Sequence, residues 1–87
     1  MIIYDDSMDR AQIALHRAWI AHHEFMSAVT TGALRLSYSD TMEIWREHHK
    51  ALDDASVRIS LGKYADVIEI CDALPAEWAA RIRTLAC

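Results

Sequence analysis

In this 87-residue chain only Gly32, Gly62 and Pro75 strongly resist a helical backbone. The stretches between them are rich in alanine, leucine, methionine, glutamate and arginine, and their apolar residues recur at spacings of three and four. A chain punctuated so sparsely has few places to turn. The pattern predicts a single all-α domain over residues 1–87, a compact bundle of four helices with the first two long and antiparallel. A domain of this length buries only about 60% of its unfolded surface. The 53% hydrophobic content offsets that handicap and is too high for a disordered chain.

The boundaries follow from local chemistry. Residues 1–7 form an extended arm whose Ile2, Ile3 and Tyr4 are expected to dock on the core. Asp5, Asp6 and Ser7 are good capping residues for a first helix over 8–31, which Gly32 closes in the left-handed conformation. Two capping frames compete before the second helix, Ser37-Tyr38-Ser39-Asp40 and Asp40-Thr41-Met42-Glu43. That helix is placed at 40–61 and ends at Gly62. A third helix spans 63–74, and Pro75 then takes the first position of a fourth over 75–86.

At 100° per residue the first helix presents Met8, Ala11, Leu15, Ala18, Trp19, His22, Phe25, Met26 and Val29 to the core, with Ala14, Ala21 and Ala28 alongside. The second turns Trp45, Leu52 and Ile59 inward, beside Ile44, His48 and Ala55. Its outer face offers Lys50–Asp54 and Asp54–Arg58 as four-residue ion pairs. Val67, Ile68, Cys71 and Leu74 face inward from the third helix, and Trp78, Ile82 and Leu85 from the fourth.

Several function classes are disfavoured. The net charge is −4 and the basic residues are scattered, which argues against nucleic acid as a partner. No stretch approaches the roughly 20 apolar residues that cross a bilayer, and no basic-then-apolar leader opens the chain. Neither Cys71 nor Cys87 sits in a disulfide framework, so the cytoplasm is the expected address. There is no glycine-rich loop for phosphate. The acidic pairs Asp5-Asp6 and Asp53-Asp54 look solvated, as does the edge of Asp66, Glu69 and Asp72. We expect neither an enzyme nor a bound cofactor.

The histidines invite closer attention. If the first two helices turn near residues 35–36, His22 lies level with His49 and His23 with His48. His22 and His48 then point inward, His49 lies at the flank and His23 points out. One reading is a pair of polar core residues that hydrogen-bond to each other, to a tyrosine or to backbone. The alternative is a metal or redox site built from His22, His48 and possible third ligand His49, completed by a carboxylate or Cys71. The core pair is preferred, because no glutamate precedes a histidine by three residues as di-iron carboxylate bundles require.

One apolar stripe is misplaced. Ile13 and Ile20 lie seven residues apart, within about 40° of the centre of the first helix's polar side. Either the arm or the fourth helix covers them, or they form a contact surface rimmed by His16, Arg17, His23 and Glu24. The second reading makes these six residues a binding face for a partner protein or a second copy of the chain.

Ala11-Gln12-Ile13-Ala14-Leu15, followed by Ala18-Trp19, resembles part of the first helix of phage-encoded anti-CRISPR proteins acting on type I systems. The resemblance covers about a tenth of the chain and carries over no functional residue. It implies an inhibitor of a host CRISPR–Cas complex, which fits a small, acidic, helical chain without catalytic motifs. Taken together, the residues lead us to expect a non-enzymatic protein-binding module of inhibitor or adaptor type.

Overall fold

The computed structural model describes residues 5–86. They form three helices and no strand: α1 (Ser7–Thr31), α2 (Tyr38–Ser60) and α3 (Tyr64–Ala86). Each helix packs on the other two, α1 and α3 most extensively, in a rod of 56 × 19 × 18 Å. The all-α class therefore holds, but there are three helices and not four. Of the expected arm, residues 1–4 lie outside those described, and Ser7 already belongs to α1.

Pro75 accounts for the difference. It lies inside α3, where the expectation placed a break. An interior proline removes one backbone hydrogen bond and costs about 3 kcal/mol. Yet Val67, Cys71, Leu74 and Trp78 are all buried, at spacings of four, three and four across the proline. Only an unbroken helix keeps those four side chains on one stripe. Burying Trp78 and Leu74 together recovers more than the proline costs, at about 1.5–3 kcal/mol for a large apolar side chain.

The other boundaries are set by specific hydrogen bonds. Before α1, the Asp5 carboxylate accepts from the Ser7 N–H at 2.9 Å and the Ser7 hydroxyl at 2.6 Å, while the Asp6 side chain makes no cap bond. Those bonds hold the Asp5 carboxyl below the usual carboxylate range. At α2 the first capping frame wins: the Ser37 hydroxyl accepts from the Asp40 N–H at 3.0 Å. The helix consequently starts at Tyr38, two residues earlier than expected. Its other end is closed by Gly62, at φ +76°, with the Lys63 N–H donating to the Arg58 carbonyl and the Gly62 N–H to that of Ile59. This is the Schellman arrangement, which satisfies carbonyls that the helix leaves unpaired.

The core is narrow because α1 contributes alanines. Ala11, Ala14 and Ala18 are buried against Leu52 and Ala55 of α2 and Val67, Cys71, Leu74 and Trp78 of α3. Small side chains on α1 let α3 approach closely along the lower half of the rod. Beyond Ala18 the α1 stripe changes character, continuing as His22 and Phe25. Trp45 and Ile59, expected inside, are only half-buried, and Thr41 takes an inward position instead. The expected surface pairs also rearrange: Arg58 reaches Asp66 of α3 at 3.7 Å.

Candidate functional site

Two features of the sequence meet on the upper half of α1, one facing inward and one outward. The inward feature is a layer of imidazoles and aromatic rings. His22 and His48 occupy core positions, since each continues its helix's buried stripe at a spacing of four from Ala18 and Ile44 respectively. Their Nδ1 atoms lie 2.9 Å apart, a hydrogen bond across α1 and α2. His22 thus bonds His48, one of the alternatives of the core-pair reading, while also lying level with His49 as expected. His49 is still close, its ring centroid 4.8 Å from that of His22.

Aromatic rings enclose the pair. Trp78 of α3 lies against His48 with centroids 3.9 Å apart and planes 24° from parallel. Phe25 meets the same ring edge-on at 5.1 Å. His49 stacks on Trp45 at 3.9 Å, one turn back. Exposed His23 stacks on Trp19. Trp78 was not foreseen as a partner of the histidines. Its position on a helix expected to be separate hid its level.

The protons of the pair can be assigned from their hydrogen bonding. His48 is 1% exposed and its Nε2 has no partner. A buried N–H without an acceptor is rarer and costlier than a bare lone pair. His48 therefore carries its proton on Nδ1 and donates to the Nδ1 of His22, whose own proton sits on Nε2. Burial lowers the pKa of His48 to about 4, with further lowering from His22 and His49. Burial is also the main cause for His22, followed by His49 and His23. Both rings are neutral at neutral pH.

A metal fits this arrangement poorly. Two imidazole nitrogens on a tetrahedral zinc stand about 3.3 Å apart, given bonds near 2.05 Å. Among the described residues no group of three or more His, Cys, Asp or Glu side chains is arranged to hold a metal ion. Cys71 is buried, and burial pushes its thiol up, away from the thiolate that a metal needs. Beside His48 a groove of about 360 Å³ opens between α1 and α3, with Phe25, Leu34, Trp78 and Ile82 as its apolar walls and Glu24 and His48 as its polar members.

The outward feature is the stripe on α1. Ile13 is 51% and Ile20 43% exposed, and no described element covers either. His16, Arg17, His23 and Glu24 are exposed around them. Ile13 borders a shallow depression that runs to α3, with Arg10, Arg17, Ile68 and Asp72 on its walls. On its other side it borders a second, with Asp9, Gln12 and His16. The structure also exposes Met8, which the periodicity had turned inward, and Tyr38, Val57 and Leu61, which it did not single out. Among the described residues, no helix is long and apolar enough to cross a membrane.

No protein-family model, curated protein or solved structure matches this chain. Its function has to be argued from its own geometry.

Proposed function

We propose that the chain is a small non-enzymatic protein-binding module, inhibitor or adaptor in type, that meets its partner through the outer face of α1. The observation that carries this reading is the exposure of Ile13 and Ile20 together on one stripe. Two large apolar side chains one heptad apart, rimmed by His16, Arg17, His23 and Glu24, have the make-up of a binding face: apolar anchors inside a polar ring. The stack of His23 on Trp19 limits the freedom of one rim residue before any partner arrives, which reduces the entropy lost on binding.

Charge favours a partner other than a second copy. An antiparallel pairing that sets Ile13 against Ile20 of another copy also sets Asp9 against Glu24. Like charges directly opposed disfavour that register. A host CRISPR–Cas complex is a partner to try early, since the segment that resembles anti-CRISPR proteins contains Ile13.

The test is the double substitution Ile13→Asp with Ile20→Asp. Helix content and Tm are expected to stay near those of the unaltered chain, while association with the partner, or self-association by sedimentation, is lost. Unfolding of the variant would make the two isoleucines core residues. Undiminished association in a folded variant would move the contact face elsewhere.

A further inference from the structure

We propose that the His22–His48 pair is an acid-sensitive latch, holding the bundle closed at neutral pH and releasing it at the level of Trp78 in mildly acidic solution. The geometry leaves no acceptable place for an added proton. The two Nδ1 atoms, 2.9 Å apart, share one proton between them. If His22 takes up a proton there, two N–H donors face each other and the bond is lost. If His48 takes it on Nε2, a charged N–H is buried with no acceptor.

The surroundings do not rescue either outcome. From α1 the pair is approached by His23 and by exposed Glu24, which borders the groove that His48 also lines. From α2 it is approached by His49. α3 contributes apolar Trp78 and, one turn further, Arg81, whose guanidinium is held by Glu43 and Glu47 at 3.4 and 3.3 Å. Among the described residues no carboxylate bonds either imidazole, and the neighbouring histidines further disfavour a charge on the pair. Once His48 leaves its place, the face of Trp78 and the edge of Phe25 are uncovered, so release also exposes apolar surface.

The direction of the pH dependence follows. Both rings hold protons less tightly in the closed bundle than in an open chain, where histidine titrates near 6.5. The closed form therefore keeps its full advantage above about pH 6.5 and loses it as the pH falls toward about 4, the value for His48. Thermal unfolding followed by circular dichroism at about pH 7 and about pH 5 reads this out. The Tm is expected to drop by roughly 10 °C over that interval, from the histidine linkage and the usual Tm sensitivity of a domain this size. In a His22→Leu, His48→Leu variant the drop should shrink to a few degrees. An unchanged Tm in the native chain, or a full drop in the variant, overturns the proposal. Should the variant not fold, imidazole nitrogen NMR on the native chain decides. A His48 ring that stays neutral in the closed bundle down to about pH 5 supports the latch, and one that titrates reversibly near 6.5 inside a closed bundle removes it.

Discussion

His48 stacks against Trp78, their ring centroids 3.9 Å apart, while its far nitrogen is buried with no hydrogen-bond partner among the described residues. The stack ties α2 to α3 at the level where the His22 bond ties α2 to α1. All three helices are thus joined through one imidazole. Trp78→Ala removes the platform and opens a cavity beside a buried polar ring. Such truncations cost about 3–5 kcal/mol, a large share of what a domain of this size has to spare. Chemical denaturation at neutral pH should show a loss in that range. A cost below about 1 kcal/mol would mean the stack contributes little.

Pro75→Ala should have the opposite sign. The substitution restores an N–H that can donate to the Cys71 carbonyl, and removes the ring's clash with the preceding turn. Pro75 is exposed, so little packing is lost. The gain of up to about 3 kcal/mol is reduced by up to about 1 kcal/mol, because alanine leaves the unfolded chain freer. A net stabilisation of about 1–2 kcal/mol is expected, seen as a rise in Tm of about 4–16 °C. A fall in Tm would show that the helix depends on a proline-induced bend.

This proline also marks where the sequence could mislead. Gly32 and Gly62 announce real helix ends because both residues sit at positive φ, a conformation that the neighbouring types avoid. Pro75 carries an equally strong local signal, but the stripe from Val67 to Trp78 crosses it, and packing outweighs the lost hydrogen bond. The inward direction of His22 and His48 was legible from the 100° periodicity. That they bond each other was one of the alternatives this direction allowed, beside tyrosine and backbone partners, and the level of the hairpin did not choose among them. Trp78 was beyond reach, its level depending on the unforeseen continuity of α3. The outward angle of Ile13 and Ile20 was legible from the same periodicity, but whether another element covers them was not.

The choice between the two capping frames of α2 can be tested directly. Ser37→Ala removes the acceptor of the Asp40 N–H and should destabilise by about 1 kcal/mol. In the unused frame Asp40 would be the cap, so Asp40→Ala would carry that cost. Here Asp40 only sits in the first turn, where its charge is worth about 0.3–1 kcal/mol against the helix dipole and is screened by salt. The two variants should therefore part company in molar salt, with only the Ser37 effect persisting. Equal effects at high salt would assign the cap to both residues.

The protons of the histidine layer bear on metal binding as well. At the bond itself a divalent ion finds a lone pair at His22 Nδ1 only after the bond is broken, and the His48 proton must leave too, while the remaining bare nitrogen, His48 Nε2, is buried and stands alone as a donor. With no third donor assembled among the described residues, that cost is not returned. Added zinc at a modest excess over the untagged chain should leave Tm within about 1 °C, and chelator treatment should change nothing. Binding to the folded form at a hundred times its Kd would stabilise by about 2.7 kcal/mol. A zinc-dependent rise in Tm of that order, abolished by His22→Ala, would show that the rings rearrange around a metal and that the bond between His22 and His48 is its empty state.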